Sequence, residues 1–531
     1  MIAGDLAPYR SEVRAANDGF GQLLRAEWTK FRTVRGWVIG IVVAALVTIL
    51  IGLLTASGSE ESCGNSACPA PPLGPGGEAV SDSFYFVRQP LTGTGSITVR
   101  VISLTGRYSA GYIQPGQGLS TMRPGLEPWA KAGIIIKAST RQGSAYAAML
   151  VTGSHGVRMQ FDYNADIAGL AGAAAAPAPR WLRLTRSGDT ITGYDSADGS
   201  HWTKVGAAHL AGLPSTVQAG LLAASPAHSQ LSVQGIGSAT ATGGPTLATA
   251  VFDHVSLQGT RPGGTRAGGG WAGQAVGGAS GGLPAAAEGF RLAHGRFAVS
   301  GSGDIAPDVP AVAADPGTAI EFTLAGVFAG LIAVIVVAAM FITAEYRRGL
   351  IRATLAASPR RGRVLAAKAI VIGSVTFAAA LAGIAATVPL SERLLRRHGF
   401  YILPVTTLTE ARVVAGSAAL LAVAAVLSLA VGVVLRRSAG AVTAVIAVLV
   451  LPYLLAVSLL PAGPAGWLLR VTPAAGFAIE QSVPQYSQVS GRYTPGNGYF
   501  PLAPWAGFAV LCGWTAVALG LAFFLLRRRD A

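Results

Sequence analysis

Residues 345–368 read EYRRGLIRATLAASPRRGRVLAAK. Six arginines and one lysine stand here against a single acid, Glu345. On either side lies a run of 23 residues without charge, one between Glu321 and Glu345, the other between Lys368 and Glu392. A helix rises about 1.5 Å per residue, so about 20 apolar residues cross a bilayer core. Residues 36–56, 413–435, 438–460 and 503–526 obey the same rule. The 438–460 run contains Pro452, which a membrane helix tolerates when neighbours satisfy the freed carbonyl. The pattern predicts six transmembrane helices. A soluble α-helical reading would require six uncharged core helices in one chain.

Composition agrees. The chain is 51% hydrophobic and only 12% charged, against about 25% charged in soluble domains. Its net charge of +15 raises the question of a nucleic-acid partner, and the placement of the charge answers it. Segments 1–35, 344–364, 436–437 and 527–529 carry seventeen Lys and Arg, whereas the opposite loops 391–410 and 461–502 carry five. This is the positive-inside asymmetry. It predicts a cell-membrane protein with both termini cytoplasmic, and part of the basic excess is available to anionic lipid. Neither aromatic–basic interleaving nor zinc-finger spacing supports a nucleic-acid partner.

The first apolar run begins behind a long charged tail and exceeds a signal-peptide core, so it reads as a retained anchor. In the tail, Leu23, Leu24, Trp28 and Phe31 fall near one helical face. That suits an interfacial helix within 1–35, with Trp28 and Trp37 at headgroup level.

With this polarity, residues 57–318 lie outside the cell, between the first and second spans. Residues 57–83 and 259–318 read as Gly-, Ser- and Pro-rich linkers, too poor in apolar surface to fold alone. Between them, 84–258 changes character. SITVRVISL, AGIIIKAS, AYAAMLVT, VRMQFDY, RWLRLTRSG, TITGYDS, QAGLLAAS and VFDHVSL are short β-rich runs separated by turn signals. Their spacing predicts an all-β sandwich, and GRFAVSGSGDIAPD (295–308) offers one further strand.

Cys63 and Cys68 stand in the outer linker, where oxidation is favoured. A disulfide between them is expected, with two free thiols as the alternative. Cys512 reads as a small apolar residue of the last span. His155, His201, His209, His228 and His254 are scattered, Asp195 and Asp198 read as turn residues, and no metal site is predicted. The run PRWLRLTRSGDTITGYDSADGSHWTKVG (179–206) resembles the concanavalin-like, laminin-G-like jelly rolls. There it forms a strand pair with an Asp-Gly hairpin over a tryptophan, here Trp202. The resemblance implies a fold; carbohydrate or cell-wall binding follows by analogy alone.

The opening stretch now divides. Tyr346, Arg347 and Arg348 close the second span, and Gly349 breaks the helix. LIRATLAA (350–357) is a helix of about two turns. Ser358 and Pro359 read as N-cap and first position of the third helix, which runs through Arg363 and Lys368 into the membrane. Glu345 has three alternatives: Arg348, Lys368, or the end of the short helix.

Three segments together resemble the permease subunits of ABC-2 type ABC transporters. They are LLRAEWTKFRTVRGW (23–37), EYRRGLIRATLAASPRRGRVLAAKA (345–369) and WLLRVTPAAGFAI (467–479). The likeness covers 21–56 and 319–529. It implies a six-helix domain, an interfacial connecting helix, and a coupling helix at 349–358 docked on an ATP-binding subunit. It assigns ATPase coupling to Glu345, Arg347, Arg348, Gly349, Arg352, Thr354, Leu355, Ser358 and Arg361, with Arg360 as a further partner for acids on the ATPase. Arg470, Pro473 and Gly476 suit the irregular segment before the last span. The chain has no GxxxxGK[ST] cradle, so it is expected to be no enzyme itself; ATP and magnesium belong to the partner. One six-span chain is half a pore, which implies a second permease copy, identical or related. The uncharged spans, without an internal acid to mark an ion path, fit an exporter of an amphipathic cargo. Two other classes remain open, a membrane-anchored glycan- or cell-wall-binding protein and a sensor or scaffold acting through the outer sandwich.

Overall fold

The computed structural model describes residues 19–59, 70–111, 119–169, 179–235, 238–260, 270–277, 283–310, 317–351, 354, 360–489 and 493–528. Cys63 and Cys68 lie outside these residues. Among them, six helices are long and apolar enough to cross a membrane. An amphipathic helix, α1 (Phe20–Thr33), precedes the first of these, α2 (Arg35–Ser57). Then come α3 (Ala325–Arg347), α4 (Arg361–Arg397) and α5 (Thr407–Leu435). Next is α6 (Ser438–Ser458), followed by a short helix, α7 (Ala462–Val471), and finally α8 (Pro504–Arg528).

The helices follow from the lengths of the uncharged runs, and their irregularities have local causes. Pro452 lacks the N–H an α-helix needs, and a π-turn at Ile446–Val450 immediately precedes its segment, a common way to absorb such a defect. Helix α4 begins at Arg361, with a non-helical Arg360 as its N-cap. The expected start at Ser358 and Pro359 lies outside the described residues. Small residues let backbones approach: a Cβ on Gly326 would lie 1.9 Å from the Thr48 carbonyl oxygen, and one on Gly52 2.5 Å from Thr387.

Between α2 and α3 in chain order lies a large antiparallel β-rich domain. Its main path runs 203–209, 190–196, 180–187, 84–108, 216–224, 131–137, 146–152, 157–161, 165–168. The 25-residue strand Phe84–Tyr108 organises it. Its first half pairs with Thr216–Ala223, and its second half with Arg180–Arg186 and with the strand Thr246–Thr260. It turns between these roles at Gly93, whose φ of +69° only glycine adopts freely.

The strand Lys131–Lys137 is buried on both faces. Ile134 and Ile136 join a core with Val87, Leu91, Ile97, Val99, Leu182 and Leu221. Ile135 joins a second core with Phe84, Phe86, Tyr146 and Leu222. Two faces in apolar contact explain why AGIIIKAS is continuously apolar rather than alternating. Beyond residue 258 the region contains the strands Ala272–Val276, Gly289–Ala293, Arg296–Gly301 and Ile305–Pro307. Arg296–Gly301 pairs with Thr246–Thr260.

Strand pairing and packing join the domain to the helices. Gly317–Thr318 pairs in parallel with Tyr401–Ile402. Ala79, Val309, Ala319, Leu403, Val483 and Tyr499 form a small shared core, and Gln488 donates to the Tyr163 carbonyl at 3.0 Å.

Candidate functional site

Phe31 and Glu27 are the buried residues of α1, one turn apart. Leu23 and Leu24 are half-buried on the same helix, while Trp28 is exposed and stacks on Phe31 at 6.3 Å. Burying Glu27 to 1% exposure demands compensating cations. Lys30, three residues on, reaches its Oε1 at 2.9 Å, and Lys368 from α4 reaches its Oε2 at 2.7 Å. Lys368 also donates to Glu345 of α3 at 2.6 Å, and Lys30 lies 3.6 Å from the same carboxylate. The two ends of the opening stretch, Glu345 and Lys368, are thus ion-paired, and Glu27 is their third partner.

Aromatic rings line this cluster. The Lys368 ammonium lies 5.2 Å from the Phe341 ring, and Phe341 meets Phe31 and Trp37 edge-on at 6.0 and 5.8 Å. The Lys30 ammonium also donates to Thr354 at 3.3 Å, which reaches into the loop above. Burial pulls the Lys30 pKa down, but the bond and charge of Glu27, with Glu345, hold it above the ordinary lysine value. A cavity of about 630 Å³ opens beside the cluster, between α1, the end of α3 and the start of α4.

The remaining residues of the expected coupling set surround this joint. Arg347 and Arg348 are exposed at the end of α3, and Gly349 takes a left-handed φ of +69°. Leu350, Ile351 and Thr354 are helical; Arg352, Leu355 and Ser358 lie outside the described residues. Arg361 donates to the Leu526 carbonyl near the end of α8, so the start of α4 is anchored to the last span. Arg436 covers the Tyr346 ring at 5.3 Å. The helix ends that flank the loop between α3 and α4 thus share one buried ion cluster with α1.

The segment before the last span is irregular, as expected. Arg470 is exposed on α7, Pro473 starts a 3₁₀-helix Pro473–Glu480, and Gly476 packs so closely that a Cβ would lie 2.7 Å from Leu511. In the β-rich domain, Trp202 lies under the Arg183 guanidinium at 3.8 Å. Of the two expected turn residues, Asp195 instead lies buried in the strand Thr190–Ser196, while Asp198 is in the turn: its Oδ1 accepts from the Ser200 and His201 amides at 2.8 and 2.9 Å, and hydrogen bonds led by the His201 ring hold its carboxyl well below the usual range. The histidines stay apart, and among the described residues no three potential metal ligands come together.

A bundle of apolar helices tied by buried charge beneath a basic loop defines a membrane protein with one reinforced end. The family described as ABC-2 family transporter protein matches residues 189–531, well over half the chain, and the chain belongs to that family. The match begins inside the β-rich domain and leaves out α1 and α2. Among curated proteins none matches the chain.

Solved structures resemble it weakly. A functionally unknown protein from Saccharomyces cerevisiae shows 14% identity over 39% of this chain and 98% of its own, at a TM-score of 0.21. Scytalido-glutamic peptidase shows 9% identity over 42% and 98%, at a TM-score of 0.24. The GH43 protein BlXynB from Bacillus licheniformis shows 15% over 28% and 26%, at 0.16. Likenesses at these scores carry no argument about fold or activity.

Sequence reading paired Glu345 with Lys368 as one of three options and missed Glu27. The available signal was a lone acid, four residues before Phe31, on the apolar stripe of an otherwise basic helix.

Proposed function

We propose that the chain is the permease subunit of an ABC transporter, an exporter whose energy comes from ATP hydrolysis on a separate ATP-binding subunit. The observation that carries this reading is the Glu27–Lys368–Glu345 cluster. It ties the helix ends flanking the loop between α3 and α4 to α1, so a motor docked on that loop would act on three helices. Family membership supports it. In this reading the six apolar helices all span, both termini and the 345–368 loop are cytoplasmic, and residues 57–318 form an extracellular insert of concanavalin-like type. Two permease chains make the pore, and rigid-body rocking opens it when the motors close.

Arg352 and Leu355 would face the ATPase groove, with Glu345, Arg347, Arg348, Gly349, Thr354, Ser358 and Arg361 shaping the loop. The test is co-expression with an ATP-binding cassette subunit. The double change Arg352→Glu and Leu355→Glu is expected to abolish pull-down of that subunit at unchanged membrane insertion. Undiminished pull-down refutes the docking role.

A further inference from the structure

At the opposite end of the bundle a cavity of about 460 Å³ sits where α3, α6 and the segment before α8 converge. Its wall includes Glu321, Phe322, Phe400, Tyr453, Glu480 and Phe500. Two carboxylates in an aromatic cavity are costly unless they are neutralised or paired. Glu321 is partly satisfied: the Ser482 hydroxyl and, at 3.4 Å, the Ser482 amide donate to it. Glu480 is less so, because its Oε1 is buried with no hydrogen-bond partner among the described residues.

Among the described residues one cation acts on this pair of carboxyls. Arg412 of α5 acts on Glu321, but its guanidinium donates to the carbonyls of Ile479 and Gln481 at 3.0 and 2.7 Å. The Tyr453 ring lines the cavity from α6, and Tyr499 stands beside it in the loop before α8, where burial pushes its phenol toward the neutral form. Among the described residues no cation acts on Glu480, so its carboxylate, once ionised, is free to pair with a bound cation. The walls fit a cation with apolar substituents. Phe322 stacks on Phe400 at 6.4 Å, and Tyr453 faces Phe500 at 6.5 Å, and aromatic faces attract cations.

We propose that this cavity binds a lipophilic organic cation, with Glu321 and Glu480 supplying the counter-charge and the four rings the walls. As a statement about cargo it rests on the permease reading; as a binding site it does not. Burial, with the Glu321 charge, holds the Glu480 carboxyl up at about 8 against a Ser417 hydrogen bond. A bound cation must therefore displace a proton, and binding strengthens as pH rises through that value.

The test uses the full chain in lipid nanodiscs, without any ATPase, and radiolabelled tetraphenylphosphonium. The anionic isostere tetraphenylborate serves as control for partition into lipid. Saturable binding of the cation alone is expected, tighter at pH 9 than at pH 7, and weaker by about tenfold or more in Glu480→Gln. The same affinity in the wild type and in a Glu321→Gln, Glu480→Gln double variant overturns the proposal, as does saturable binding of the anion. A measurement on the unaltered protein guards against a misfolded variant. Tetraphenylphosphonium should slow modification of Glu480 by dicyclohexylcarbodiimide, read by peptide mass; an unchanged rate overturns the site. A failed ATPase pull-down with intact cation binding would sink the motor reading and leave this one standing.

Discussion

Lys368 holds two carboxylates from two different helices while itself almost wholly buried. Removing one partner of such a cluster strands the other charges in a medium that cannot solvate them, which costs about 3–5 kcal/mol. Lys368→Met is therefore expected to lower the thermal midpoint of the purified protein sharply. Adding Glu27→Gln and Glu345→Gln should recover most of the loss, because the stranded charges are gone. A triple variant no better than the single one would show that Lys368 stabilises by packing alone. At this scale the sequence was only partly legible. Glu345 and Lys368 stand at the ends of one quoted stretch, so their pairing could be foreseen. Glu27 lies more than 300 residues away, and no local pattern links it to them. Glu480 was hidden for another reason: it lies in an irregular segment, where no helical period says which side chains turn inward.

The elements were more legible, because each has its own period. Eight β-rich runs coincide with strands, including Lys131–Lys137, Tyr146–Thr152 and Thr190–Ser196. The strands Ala272–Val276 and Gly289–Ala293 escaped notice. Their AGQAV and GFRLA sequences carry few β-branched residues, and they form only because neighbouring strands lend them an edge. Electrostatics also binds strand to strand. Arg100 forms a two-pronged pair with Asp253, with contacts of 2.7 and 2.6 Å, and covers the Trp181 ring at 5.6 Å. The Arg100 bonds hold the Asp253 carboxyl down at about 2, against the opposing effect of burial. A depressed carboxyl stabilises the fold above its unfolded pKa of about 3.9, and that contribution is lost as pH falls from there through about 2. Arg100→Met should therefore move the acid unfolding of the β-rich domain to higher pH, as read by tryptophan fluorescence of the full chain. An unchanged acid midpoint would remove Asp253 from the balance.

For the whole molecule, charge placement and fold reinforce each other. The basic ends of α3 and α8, the α1 cluster and the cavity beside them occupy one end of the helices. The β-rich domain packs on the other end, through Val309, Leu403, Val483 and Tyr499. The class was readable from composition and periodicity; the long contacts that set one end against the other were not. The orientation of those ends in the membrane is the claim on which the motor-docking proposal depends, and it can be measured directly. In a background with Cys63, Cys68 and Cys512 replaced by serine, His201→Cys and Leu350→Cys place single thiols at exposed sites on the two ends. Intact cells are treated with a membrane-impermeant maleimide. The account predicts labelling at position 201 in intact cells and at position 350 only after permeabilisation. Labelling at 350 in intact cells, with 201 protected, would contradict it.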